Sequence, residues 1–171
     1  MKVHFIGDTH FGDADIIKYE GRPFKFTEEM DEALIESLNK DIAPEDEVWF
    51  LGDFGADGYE EEVLSNLNGT KYLIKGNHDT KTNEEYRKFG FKEVYDKPVL
   101  YDNFFLLSHE PQYININMPY VNIFAHVHGS PIYKSHSGYH YCVSVERTGY
   151  SSVSYDDIRK TIKAHRNQGV L

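Results

Sequence analysis

The residue types able to do metal or acid–base chemistry are not scattered along this chain. They fall in five short stretches, F-I-G-D-T-H, F-L-G-D, L-I-K-G-N-H-D, F-L-L-S-H and N-I-F-A-H-V-H. These place Asp8 and His10, Asp53, Asn77, His78 and Asp79, His109, and His126 and His128 directly after apolar, β-prone runs. In an open α/β sheet the carboxyl ends of the strands form the crevice where ligands sit. If these strands share an edge, Asp8, Asp53, Asn77 and the five histidines converge there. Carboxylates and imidazoles packed that closely have strongly perturbed ionisation unless cations neutralise them. The donors are oxygen and imidazole nitrogen without thiolate, a set suited to Mn, Fe, Zn or Co, with Mg admissible. They outnumber the ligands of one tetrahedral site, which favours two adjacent divalent ions.

The spacing within each stretch has its own logic. Gly7, Gly52 and Gly76 precede three of them, where a backbone turning sharply off a strand benefits from glycine's freedom. Asn77 then offers a neutral carbonyl oxygen to a metal, His78 is left over, and Asp79 is expected to fix a neighbouring group from behind. Any one of these residues alone reads as a structural histidine or a turn acid; the ordered set carries the argument. Arg22 is expected either to reach a substrate phosphate or to sit in solvent. His4 should be packed, and His136, His140 and His165 should be surface or sheet residues. The D-F-G at 53–55 lacks the H-R-D loop of a kinase, and the glycines around it lack the G-K-[ST] of a P-loop.

The elements that must position these residues are legible from periodicity and punctuation. K-V-H-F-I-G, E-V-W-F-L-G and T-K-Y-L-I-K read as strands, the second apolar enough to be covered on both faces. A short helix is expected near D-A-D-I-I-K-Y. A longer one begins at Thr27 as its cap, buries Met30, Leu34, Leu38 and Ile42, and ends before Pro44. Y-E-E-E-V-L-S-N-L-N-G and T-N-E-E-Y-R-K-F-G read as two more helices. From E-V-Y onward strands dominate: P-V-L-Y, N-F-F-L-L-S, V-N-I-F-A and Y-H-Y-C-V-S-V, with a tight hairpin at Asp102–Asn103. A last helix, D-D-I-R-K-T-I-K-A-H-R, opens on a Ser154/Asp157 capping pattern. One α/β domain over residues 1–171 is expected.

Composition narrows the partners. Eighteen basic residues against 28 acidic ones give a formal charge of -10. That surface repels long nucleic acids yet admits a small phosphorylated substrate, because bound cations reverse the local field. The single cysteine, Cys142, excludes an internal disulfide and a multi-cysteine zinc site. With no membrane-length apolar run and no signal-like core in M-K-V-H-F-I-G-D, no membrane association and a cytoplasmic setting are expected.

Asp8-x-His10, Gly52-Asp53, Gly76-Asn77-His78-Asp79, His109 and His126-x-His128 resemble, in order and spacing, the five blocks of the calcineurin-like metallophosphoesterases. D-T-H-F-G, Y-E-G-R-P-F and C-V-S-V-E further resemble the small, single-domain bacterial and phage members. The resemblance implies the four-layer fold of that family, two mixed β-sheets packed as a sandwich and flanked by helices. It implies one metal on Asp8, His10, Asp53 and His128 and another on Asp53, Asn77, His109 and His126, with Asp53 giving one oxygen to each. Two divalent ions are implied, manganese first, with Fe, Zn, Co, Ni or Mg as alternatives. The implied activity is hydrolysis of phosphate esters, small phosphodiesters foremost, by a metal-bridging hydroxide. His78 acts as general acid, with Asp79 as its companion in the catalytic group. A metal-dependent nuclease and a non-catalytic scaffold of the same fold are the alternatives. Three positions depart from the family: Ala125 replaces a common glycine, Asp13 stands where histidine is frequent, and Ala56 stands where many relatives carry an acid. The last leaves Asp57 or Asp79 to orient His78. Residues 110–120, E-P-Q-Y-I-N-I-N-M-P-Y, are the candidate rim for a substrate.

Overall fold

The computed structural model describes residues 1–167. Two mixed sheets, one of five strands and one of four, face each other with helices packed around them. The first sheet contains β1 (Val3–Ile6), β2 (Glu47–Phe50), β3 (Thr70–Ile74) and β4 (Glu93–Tyr95). These four are parallel, in the order β4-β3-β2-β1, and β9 (Val153–Ser154) adds antiparallel to β1. The second sheet runs β5 (Val99–Tyr101), β6 (Phe105–Leu107), β7 (Val121–Phe124), β8 (His140–Cys142). There β5 and β6 form an antiparallel hairpin, with Asp102 and Asn103 at positive φ in its turn, while β6, β7 and β8 are parallel.

The period-2 alternation of the strands sorts side chains between two cores. Phe5, Trp49, Leu51, Tyr72 and Ile74 meet Phe105, Leu107, Val121, Ile123 and Val143 between the sheets. The alternate residues Ile6, Val48, Phe50, Leu73 and Val94 turn the other way, onto the helices. Those helices are α1 (Ala14–Tyr19), α2 (Thr27–Asp41), α3 (Glu60–Asn66) and α4 (Asn83–Phe89). They contribute Ile16, the α2 stripe Met30, Leu34 and Leu38, Val63 and Leu64, and Tyr86. Two further helices follow, α5 (Val145–Thr148) and α6 (Tyr155–Asn167). Ile158 and Ile162 of α6 join the core between the sheets. Among the described residues no helix is long and apolar enough to cross a membrane.

Two local expectations shift. Thr27 is the first residue of α2, not its cap; Phe26, whose side chain has no acceptor to offer, holds that place, and the Thr27 hydroxyl donates to Glu28. Ser154 does accept the Asp157 N–H at 3.2 Å, but the Asp157 carboxylate answers the Ser154 hydroxyl and not its backbone.

For function, the decisive feature is polarity. The parallel strands β1, β2 and β3 of one sheet and β6, β7 and β8 of the other deliver their carboxyl ends to a common rim. At that rim the sheets are stitched together: the Gly7 N–H donates to Val143 O at 3.0 Å and the Val145 N–H to Gly7 O at 3.2 Å. Gly7 approaches so closely that a Cβ there would overlap that of Ala125.

Candidate metal centre

The loops that follow these strand ends carry the predicted residues, and the structure brings them together. Asp53 Oδ2 lies 3.6 Å from His10 Nε2 and 3.4 Å from His109 Nε2. His109 Nε2 is also 3.1 Å from Asn77 Oδ1 and 3.0 Å from His126 Nδ1. Asp8 Oδ2 sits 4.0 Å from His128 Nδ1. Two donor sets, His10/Asp53/His128 and Asp53/His109/His126, each have ligand atoms within 4.8 Å of one another. Asp53 belongs to both.

The backbone is bent to achieve this. Asp8, His10, Asp53, His126 and His128 all have positive φ, between 45° and 69°. Only three other described non-glycine residues do, so the strain is concentrated here. Each such residue costs roughly 1–3 kcal/mol and persists only where its surroundings hold it. The surroundings are visible. Asp8 N–H donates to Gly52 O and His10 N–H to Asp53 O, both at 3.0 Å, locking the first two loops together. Asp8 Oδ1 accepts the His126 N–H at 2.9 Å, and Asp53 Oδ1 accepts the His78 N–H at 2.9 Å. Asp53 therefore commits one oxygen to the backbone. Its other oxygen, Oδ2, lies near an imidazole nitrogen of each cluster.

Glycine is required for two different reasons. Gly52 has φ +88° and a Cβ there would overlap the His109 ring. Gly76 has no positive φ; its requirement is space, because a Cβ would overlap the Asp53 carboxylate. Close approach, not the conformational freedom expected of it, is what requires glycine at 76.

Asp79 is buried, and both its oxygens are spent on backbone. Oδ2 accepts the N–H groups of Asp53 and Gly76, each at 2.8 Å, and Oδ1 that of Phe54 at 3.0 Å. It clamps the Asp53 loop from behind, as expected of a residue that fixes a neighbouring group. It does not orient His78, and Asp57 instead pairs with Lys81. His78 is exposed, with its ring 5.2 Å from that of His10, and among the described residues no side chain hydrogen-bonds that ring.

Charge inside the cluster is balanced only in part. Burial pushes Asp8 up, against the pull of His128 and His109. Burial would raise Asp53 too, but the His109 hydrogen bond and charge win and hold it at about 2. His109 is the mirror image: burial lowers it, and Asp53 lifts it to about 9. His10, mostly buried with weaker compensation, falls to about 4. Asp53 and His109 thus stabilise each other's charged forms.

Arg22 departs from both expectations, and Glu146 is a further functional candidate. Arg22 is neither solvated nor free for a phosphate. It is buried, donates to the carbonyls of Thr9 (2.8 Å) and Asp8 (2.6 Å), and pairs with Glu146 at 2.6 Å. Glu146 enters from α5 just beyond β8 and sits 3.1 Å from His128 Nδ1; with Asp8 and His128 it forms a third donor set. Its signal was the C-V-S-V-E stretch, where an acid follows a strand as in the other clusters. His4 is packed as expected, 3.9 Å from Asp46, and His136 and His165 pair with each other at 2.8 Å on the outside.

The residues fit a metal. Asp8 Oδ2, His10 Nε2 and Glu146 Oε2 are buried polar atoms without a hydrogen-bond partner, gathered in one cluster of hard and borderline donors. The Calcineurin-like phosphoesterase model matches residues 1–166 of the chain. The chain belongs to that family. An uncharacterized protein of Methanocaldococcus jannaschii is 36% identical over 177 residues, covering 95% of this chain and 92% of the relative. The crystal structure of a protein of unknown function from Aquifex aeolicus superposes with a TM-score of 0.70 at 28% identity, covering 93% of this chain and 98% of that one. Family membership and the donor clusters make this chain a metal-dependent phosphoesterase with the α/β fold of two mixed sheets flanked by helices.

Proposed function

We propose that the chain is a single-domain, dinuclear phosphodiesterase acting on a small substrate in the cytoplasm. Asp8, His10, Asp53 and His128 would hold one divalent cation, and Asp53, Asn77, His109 and His126 the other, with manganese the first choice for both. The observation that carries this reading is the shared oxygen: Asp53 Oδ2 lies within 3.6 Å of an imidazole nitrogen from each cluster. Two ions so held would activate water as a nucleophile near neutral pH and neutralise the phosphoryl oxygens.

The chain's own residues supply the rest. His78 stands at the mouth beside His10, its ring untethered, where it can give a proton to a leaving alkoxide; such a general acid is worth on the order of 10²–10⁴ in rate. Asp79 keeps Asp53 in its strained conformation. The overall charge of -10 favours a small ester over a nucleic acid polymer, and a singly charged diester over a doubly charged monoester. Residues 110–120 offer exposed Tyr113, Ile116 and Met118 as an apolar rim for the ester's organic groups.

The test is a metal-stripped protein reloaded separately with Mn, Fe, Zn, Co, Ni and Mg and assayed on paired mono- and diesters. Metal-restored hydrolysis with a diester preference is expected. Failure of every metal to restore hydrolysis of either ester would refute the enzymatic reading.

A further inference from the structure

Three of the four clustered imidazoles engage a fixed acceptor through Nδ1, and in His10 and His109 the Nε2 atom lies 3.6 and 3.4 Å from Asp53 Oδ2. His10 Nδ1 meets Asp13 Oδ2 at 3.2 Å, His109 Nδ1 meets Leu51 O at 2.8 Å, and His128 Nδ1 meets Glu146 Oε1 at 3.1 Å. A neutral imidazole carries a single N–H. An acceptor that takes it at Nδ1 leaves the Nε2 lone pair for a metal. His126 is turned the other way, with Nδ1 toward His109.

The outer acceptors are not equivalent. His109 has a neutral carbonyl, whereas His10 and His128 each have a carboxylate, which makes an imidazole the more basic ligand. Both carboxylates are held in place. Asp13 spends Oδ1 on the first turn of α1, accepting from Asp15 N (2.9 Å) and Ile16 N (3.4 Å), so Oδ2 is fixed toward His10. Glu146 Oε1 takes two bonds from Arg22, Nε at 3.0 Å and Nη2 at 2.6 Å, and the same guanidinium grips the Asp8 and Thr9 carbonyls. Arg22 therefore ties the orienting acid of His128 to the loop that carries Asp8 and His10.

We propose that Asp13 and Glu146 are positioning carboxylates that fix His10 and His128 as Nδ1–H tautomers, making the Asp8/His10/Asp53/His128 position the tighter of the two metal positions. The inference rests on the dinuclear reading above. It separates two substitutions that look alike. In Asp13→Asn the single carbonyl oxygen can serve the α1 turn or His10, and the amide nitrogen opposes the N–H of whichever is left. In Glu146→Gln the carbonyl oxygen can replace Oε1 for Arg22 and His128 together, so the tautomer is kept.

The experiment is calorimetric titration of Mn²⁺ into the metal-stripped protein. Wild type should load in two steps. Asp13→Asn should weaken the first step about 10–100-fold and spare the second. Arg22→Met/Glu146→Met, which removes the buried ion pair as a unit, should do the same, and Glu146→Gln, which keeps the tautomer but loses the carboxylate's effect on basicity, should fall between it and wild type. Should the double variant fail to fold, the zinc-loaded wild-type protein still decides. Long-range ¹⁵N–¹H spectra should show His10 and His128 protonated at Nδ1 and coordinated through Nε2. Coordination through Nδ1 overturns the inference, as does two-step loading unaffected by Asp13→Asn. Glu146→Gln as weak as the double variant overturns the positioning role of Glu146, since holding the tautomer would then contribute nothing. A wild-type chain that takes up no metal overturns the dinuclear reading itself.

Discussion

Asp79→Asn is the substitution with the most calculable consequence. The aspartate's two oxygens serve three buried backbone donors, those of Asp53, Gly76 and Phe54, at 2.8, 2.8 and 3.0 Å. An asparagine of the same shape has one acceptor oxygen. Its amide nitrogen must face at least one N–H, and leaving a buried donor unsatisfied costs about 1–3 kcal/mol. The bonds that remain change from charge-assisted to neutral, a loss of about 1 kcal/mol each. The sum is roughly 3–5 kcal/mol, a large share of the ~5–15 kcal/mol that holds a domain folded. Urea denaturation of the metal-free protein reads it directly. Because the same donors hold Asp53 at φ 52°, metal affinity should fall as well. Asp57→Asn is the control: that acid is exposed in its pair with Lys81 and should change stability by less than about 1 kcal/mol. If Asp79→Asn loses under 1 kcal/mol and binds metal like wild type, the clamp argument is wrong.

The other predictions are simpler. Gly76→Ala puts a methyl against the Asp53 carboxylate, costing about 1–3 kcal/mol by overpacking, and should abolish metal binding by calorimetry while the fold survives by circular dichroism. His109, raised to about 9 in the metal-free chain, is protonated at pH 7.5 and must lose that proton to ligate. Metal loading should therefore release protons, seen as a buffer-dependent binding enthalpy, and affinity should rise with pH until about 9. His78→Ala should keep full metal content and lose on the order of 10²–10⁴ in turnover; normal activity would remove it from the mechanism.

Strand positions were largely readable because the apolar runs are short, β-branched or aromatic, and closed by glycine or polar clusters; the order of the strands in each sheet was not. The five stretches themselves marked the rim, since each follows a parallel strand. What the sequence hid were relations between distant segments. Glu146 follows β8, but only the Gly7–Val143 stitch between sheets shows that β8 ends beside Asp8. Arg22 lies in an extended, polar stretch that looks solvated; its burial depends on Glu146, 124 residues on. The role of Asp79 is a matter of which backbone N–H groups it meets, which spacing cannot specify. Gly76 looked like a hinge because a missing side chain reads the same whether it serves torsional freedom or space.

Anomalous diffraction at the manganese edge, on crystals of the reloaded protein, tests the central claim most directly. Two peaks should appear on either side of Asp53 Oδ2, one toward His10 and His128, the other toward Asn77, His109 and His126. A single peak, or none within this cluster, would contradict a dinuclear centre.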